Sequence, residues 1–111
     1  MKLSYRDVEE RLRWGESNEL EFKPDPSNDS QFNEYVFKTT IGMANTASGN
    51  IVIGIREKKQ IRTERTIEGV KSHSAADISD KLMRRINEYV DPPGLKFLVY
   101  DILPMTPAVR I

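Results

Sequence analysis

The spacing of hydrophobic positions changes period several times along this 111-residue chain, and each change marks an element. Over residues 4–14 the pattern is helical. Val8 and Leu12 recur at i, i+4, Ser4 and Asp7 form a capping box, and Leu3 and Val8 make a hydrophobic staple across it. Gly15 then stands at the C′ position, where a left-handed backbone is easiest without a Cβ. Residues 19–23 alternate instead. Leu20 and Phe22 should face a core, while Glu19, Glu21 and Lys23 share the other side of a strand. Two prolines in KPDPSNDS (23–30) stop that strand, and Asn28, Asp29 and Ser30 can cap the next element.

The helical period returns over 31–46, where Phe32, Val36, Thr40 and Met43 line one row and Phe37, Ile41 and Ala44 the next. NTASGN (45–50) ends that helix. NIVIGIRE (50–57) is apolar on consecutive positions, as a central strand covered on both faces requires, and Gly54 inside it predicts a bend or a close backbone approach. A basic stretch over 58–66 leads into TIEGV (66–70), so the pair predicts a hairpin with Lys58, Lys59, Arg62 and Arg65 at its tip. Ser74 and Asp77 repeat the capping box ahead of a helix over 75–90, which DPPG (91–94) stops. LKFLVYDIL (95–103) reads as a last strand and PMTPAVRI as a tail with no closure. The order α-β-α-β-β-α-β predicts an α+β (α/β-like) fold: a single mixed sheet packed with about three helices, with a crossover over 19–56 that is right-handed if its strands are parallel. Residues 1–111 fit one domain, read as a piece of a longer chain with further domains C-terminal to Ile111.

Composition narrows the class without identifying it. A chain of this length can bury roughly 65% of its unfolded surface, and 38% hydrophobic with 31% charged residues is within the globular range. There is no Cys and one His, His73, which excludes disulfides, thiol nucleophiles and multi-His zinc sites. The polar N-terminus is no signal peptide, and no segment approaches the ~18–20 apolar residues of a membrane span. The chain therefore reads as soluble and cytoplasmic, with no membrane partner. Its 17 basic and 17 acidic side chains cancel, so their distribution matters more than their sum. Residues 1–30 hold eight acids and five bases; residues 56–85 hold nine bases and five acids. That polarity fits either a solvated surface or a patch facing phosphates.

Candidate chemistry begins with the carboxylates. Glu16 falls on the turn after the first helix, Glu21 on the first strand and Glu57 at the end of the next. If those strands are parallel neighbours, Glu21 and Glu57 could approach across the sheet, with Lys23 pointing the same way toward a phosphate. Grouped carboxylates suit Mg²⁺ or Mn²⁺, ions that orient water and stabilise a leaving oxygen in nucleic-acid cleavage. Ordinary surface charge explains the same spacing more simply. The turn at Asn45, Thr46 and Gly49 is small enough to bring backbone N–H groups to a phosphate, but it ends a helix, the wrong dipole end for an anion. No GxxxxGK[ST] sequence is present, so there is no P-loop. His73 lies between two serines without an acid partner nearby in sequence. Trp14 could stack on a base, although a Trp ending a short helix is more often a packing residue.

Three ordered blocks, GESNELEFK, IGMANTASGNIVIGI and EGV, resemble the Schlafen-type AlbA_2 domain, a family also described as divergent AAA-4 and as DNA-binding. Gly15, Glu16, Ser17, Glu21, Phe22 and Lys23 match its first block. Ala44, Asn45, Thr46, Gly49, Ile53, Gly54 and Ile55 match the second, and Gly69 and Val70 the third. Ser48 stands where the family often has a second glycine, Glu57 where Asp is usual, and Lys58–Thr66 is longer and more basic than the usual tight turn. The resemblance implies an α/β nucleic-acid-associated module, often fused to other domains in bacterial transcriptional regulators and often labelled ATP-binding. In vertebrate Schlafens a carboxylate triad on this type of fold cleaves RNA with a divalent metal. Glu16 and Glu21 match two of its positions, and Glu57 falls near the third.

Three functions from different classes remain open. The leading one is a nucleic-acid-binding module of a regulator, in which Arg56, Lys58, Lys59, Arg62, Arg65, Arg84 and Arg85 meet the phosphates of DNA or RNA. The second is an endoribonuclease with Glu16, Glu21 and Glu57 holding Mg²⁺ or Mn²⁺ and Lys23 on the phosphate. The third is a nucleotide-binding or protein-interaction module, homodimerisation included, with its charges as surface decoration.

Overall fold

Helix α1 (Tyr5–Trp14) begins where the capping box predicts. Ser4 Oγ accepts from the Asp7 N–H at 3.1 Å, and Asp7 returns the bond to the Ser4 N–H at 2.9 Å. Leu3 and Val8 are both buried, as a staple requires. Gly15 ends the helix with φ 84° and ψ −167°, an extended mirror-image conformation rather than the left-handed helical one expected, and its N–H still reaches Arg11 O at 3.0 Å. The computed structural model describes residues 2–46, 48–58, 64–71, 73–91, 95–103 and 106–111.

A four-stranded sheet forms the centre, in the order β1-β2-β6-β5. Strand β1 (Leu20–Lys23) is parallel to β2 (Asn50–Ile53), as the crossover requires. The order extends past the expected elements. The tail that read as having no closure holds β6 (Thr106–Arg110), which lies between β2 and β5 (Leu98–Ile102) and is antiparallel to both. Pro104 and Pro107 in that stretch of sequence hid it. Strand β2 pairs β6 only as far as Ala108, so Pro107 sits where β6 has a neighbour on the β5 side alone.

Gly54 changes the second expectation. The apolar run 50–57 is two strands, because the chain turns at Gly54 (φ 98°) out of β2 and into β3 (Ile55–Lys58). Strand β3 pairs antiparallel with β4 (Glu64–Ile67) as a separate two-stranded ribbon. The α+β class holds; the mixed sheet carries a small second sheet. A Cβ on Gly54 would lie 2.6 Å from the Gly69 carbonyl, so the close approach expected at this glycine is real.

The remaining helices cover the sheet. Asn28 Oδ1 accepts from the Gln31 N–H at 2.8 Å and starts α2 (Asp29–Phe32). This runs through a π-helical turn (Asn33–Phe37) into α3 (Lys38–Thr46) without a break. Phe32, Val36 and Thr40 recur every four residues. In a pure α-helix that spacing drifts around the axis, and the wider π turn takes up the drift, so all three stay fully buried. Helix α4 (Ala75–Tyr89) repeats the Ser4 arrangement at Ser74 and Asp77 and buries Ile78, Leu82 and Ile86. Ile51, Val52 and Ile53 separate two cores. One, with Val8, Leu20, Phe22, Val52 and Ile55, lies under α1 and the ribbon. The other, with Phe32, Ile51, Ile53, Leu82 and Val109, lies under α2–α3 and α4. Among the described residues no helix is long and apolar enough to cross a membrane.

Candidate functional site at the β1 edge

Strand β1 is an outer strand of the sheet, so its Leu20 and Phe22 backbone groups face away from β2. The local sequence satisfies them by folding back. Ser17 N–H donates to Leu20 O at 2.9 Å, and Leu20 N–H donates to Ser17 O at 3.3 Å. This tight return brings the exposed Glu16 back toward the strand, with the Phe22 N–H close enough to act on its carboxylate. The acid that the turn carries therefore lies at the open edge of β1.

That position puts Glu16 against Glu21. The two carboxyls lie close enough to interact, and so does Lys23. Loss of water around the Glu16 carboxyl raises its pKa above the ordinary glutamate value. The nearness and like charge of Glu21 raise it further; Lys23 and the Phe22 N–H pull it back down without cancelling the rise. Glu21 and Lys23 face α3 across a groove of about 340 Å³, whose other wall carries Glu34, Lys38 and Thr46. Lys38 and Glu34 pair with each other at 3.0 Å.

Glu57 is held elsewhere. It lies on β3 directly opposite Arg65 of β4, whose Nε donates to it at 3.2 Å. The Arg65 guanidinium also donates to Leu12 O at 3.4 Å, sits 5.9 Å from the centre of the Phe22 ring and lies beside Gly15. Arg65 thus locks the ribbon to the end of α1, and only 17% of its side chain is exposed. The expected approach of Glu21 to Glu57 across the sheet fails for a geometric reason. Glu21 pairs with Ile51, and Gly54 diverts the chain before Glu57 is reached. Among the described residues no group of three His, Asp or Glu side chains is arranged to hold a metal ion. Glu16 and Glu21 offer a hard divalent cation two carboxylates, while the third of the expected set faces an arginine. A three-carboxylate metal centre does not fit this arrangement.

The expected basic residues do not form one surface. Arg56 pairs with Glu68 at 3.2 Å, and Lys58 is exposed at the end of β3. Arg84 is exposed on α4, whereas Arg85 donates to Asn33 Oδ1 at 3.0 Å and lies 3.9 Å from Glu88. The ribbon packs into the α1-side core and α4 into the opposite one, so the two basic groups belong to different faces. Lys59 and Arg62 lie outside the described residues. In the turn 45–50, Thr46 Oγ1 donates to Gly42 O and Asn45 is exposed. Gly49 exchanges backbone hydrogen bonds with Ile111, so its N–H is committed. His73 is half-buried, 6.1 Å from the Phe32 ring. Trp14 departs furthest from expectation: it is 86% exposed and packs into neither core. Its helical phase, opposite to Val8 and Leu12, was the available signal.

An outer strand edged by an acidic turn, a parallel crossover and a glycine-hinged ribbon define an α+β domain with its distinctive groups at one sheet edge. The family model for the Schlafen AlbA_2 domain matches residues 16–109, and the chain belongs to that family. It is also similar to the N-terminal domain of a RecG-related protein from Nitrosomonas europaea, solved by NMR in solution. That likeness covers 98% of this chain and 72% of the other, with a TM-score of 0.69 and 16% identity, and at that identity it establishes the fold alone. None of the proteins with curated descriptions matches the chain.

Proposed function

We propose that this AlbA_2 domain binds nucleic acid through the β3–β4 ribbon. The observation that carries the reading is the ribbon itself. It leaves the main sheet at Gly54 as two paired strands that carry Arg56, Lys58 and Arg65 against Glu57 and Glu64, and the sequence joining the strands adds Lys59 and Arg62 in a chain of zero net charge. A two-stranded ribbon is one of the few elements that fits a nucleic-acid groove, and basic side chains along it would displace counterions from phosphates. Arg65 is occupied in holding the ribbon down, so the contacts fall to Arg56, Lys58, Lys59 and Arg62. Family membership and a structural relative described by its relation to a DNA helicase support the same direction. A role as the DNA-binding part of a transcriptional regulator is the finer form of this reading.

Fluorescence anisotropy with labelled duplex DNA and structured RNA tests it. Binding should weaken steeply with salt, and Lys58→Gln with Lys59→Gln should flatten the salt slope by about one for each phosphate contact removed. Binding indifferent to salt, or to both substitutions, contradicts the proposal.

The contact between Glu16 and Glu21 favours a second reading, a metal-dependent ribonuclease. It requires a third ligand other than Glu57 as placed here. Cleavage of transfer RNA with Mn²⁺ that survives Glu21→Gln would remove this reading.

A further inference from the structure

Trp14 is the only tryptophan in the chain, and burial does not account for it. Tyr5, Val8 and Leu12 turn one side of α1 into the core, and Trp14 falls on the opposite side. Arg11, three residues earlier, is its neighbour on the helix surface. Arg11 also lines a cavity of about 200 Å³ together with Leu3, Glu19, Ser48, Gly49 and Arg110. Arg110 reaches that place through the sheet register. Leu20, Asn50, Arg110 and Leu98 are successive partners across all four strands, and Ala108, two residues earlier, packs in the α1-side core. Residues from the first helix and the last strand therefore converge on the face of the sheet that also carries the ribbon.

Among the described residues no carboxylate within 4.0 Å pairs with Arg11 or Arg110. Three acids are nearby, one of them Glu10, a turn before Trp14 and 3.7 Å from Arg6. Glu19 lines the cavity, and Asp7, one turn before Arg11, is committed to the Ser4 cap. Lys2 adds a third cation beside Tyr100, 5.6 Å from its ring. A guanidinium recognises phosphate through paired N–H donors, and an exposed indole offers a face on which any base can stack.

We infer that Trp14, Arg11 and Arg110 bind an unpaired nucleotide, with the indole against the base and the two arginines on the adjoining phosphates. This rests on the nucleic-acid reading above and adds to it a single-stranded contact that the ribbon does not provide.

Because Trp14 is the sole tryptophan, its emission reports on this surface alone. The wild-type chain is titrated with a single-stranded oligothymidylate of about eight nucleotides, followed by Trp14 emission and by anisotropy of a labelled copy. Emission should fall to a saturating limit, with a midpoint that matches the anisotropy. Trp14→Ala should weaken binding about tenfold, while Trp14→Phe keeps most of it. Arg110→Gln should weaken binding several-fold and flatten the salt slope by about one. Inorganic phosphate at the same concentration should leave emission unchanged, which separates a nucleotide from a free anion. Binding that leaves Trp14 emission unchanged and survives Trp14→Ala overturns the inference. If Lys58→Gln and Lys59→Gln abolish that same binding, the ribbon proposal stands without it. Emission that changes with protein concentration alone marks a protein-contact surface, and also overturns it. If the ribbon substitutions have no effect while Trp14→Ala and Arg110→Gln do, the inference stands and the ribbon proposal fails. Absence of any binding by the wild-type chain removes both.

Discussion

The β1 edge and the β3–β4 ribbon use the same residue types to opposite ends. On the ribbon each described arginine has a carboxylate: Arg65 meets Glu57 and Arg56 meets Glu68. At the β1 edge two carboxyls lie close together with Lys23 as the nearby cation, and Glu16 holds its proton more tightly, first through loss of water and then through Glu21. Charge matching is what a structural connection needs, and Arg65 makes one between the ribbon and α1. Like charges in contact destabilise a fold at neutral pH and are more often found where a ligand completes the balance. The difference teaches that Glu57, though close to the family pattern, is matched by Arg65 here, while Glu16 and Glu21 stand against each other.

The comparison depends first on Gly54, which keeps the two regions apart. Its N–H donates to Lys23 O at 2.7 Å on the β1 side, and its carbonyl accepts from Glu68 and Gly69 at 2.8 and 3.0 Å on the ribbon side. Gly54→Ala introduces a Cβ 2.6 Å from the Gly69 backbone at a φ that L-residues avoid. The expected loss is the largest considered, on the order of 2–4 kcal/mol, read as a lower urea midpoint at unchanged slope. A loss below about 1 kcal/mol would mean that the backbones are not pressed together at this hinge.

Two arginines sharpen the contrast within the ribbon. Arg65→Ala removes a partly buried charged hydrogen bond, a bond to Leu12 O and the contact with the Phe22 ring, and should cost about 1–2 kcal/mol. Arg56→Ala removes only an exposed pair and should stay within about 0.5 kcal/mol. Equal losses would contradict the claim that Arg65 holds the ribbon in place while the exposed Arg56–Glu68 pair adds little.

Legibility in the sequence tracks the range of the interactions. Elements set by local chemistry were legible: the Ser4–Asp7 and Ser74–Asp77 caps, the buried row Phe32–Val36–Thr40 and the alternation of β1 all stand. Strand β6 was not, because Pro107 reads as a breaker unless one knows that β2 stops opposite Ala108. The bend at Gly54 was anticipated, but its consequence for Glu57 was not, since spacing does not say which sheet a strand joins. Only the family motif implies that Glu16 and Glu21 share a site; spacing places one on a turn and the other on a strand. The convergence of Arg11 with Arg110 was not legible, because 99 residues separate them and only the sheet register brings them together.

The smallest predicted effect tests the β1 edge most directly. Glu16 binds its proton more tightly in the folded chain than in the unfolded one. Between the ordinary value near ~4.3 and the raised folded value, the folded state holds more protons, so stability falls as pH rises through that window. The capping acids act with the opposite sign. Backbone N–H bonds from Ser4 and Ser74 hold Asp7 and Asp77 below the usual carboxylate range. Their contribution is present above about ~3.9 and is lost as pH falls through the depressed values. The two trends therefore occupy separate windows, and a ¹³C titration of the side-chain carboxyls resolves them residue by residue. Glu21→Gln should lower the Glu16 pKa, because it removes a like charge and supplies an amide donor in its place. Lys23→Gln should raise it further, because the nearby cation is gone. A Glu16 that titrates at the ordinary value in the wild-type chain, or ignores both substitutions, is not paired with Glu21. In that case the β1 edge differs from the ribbon only in sequence.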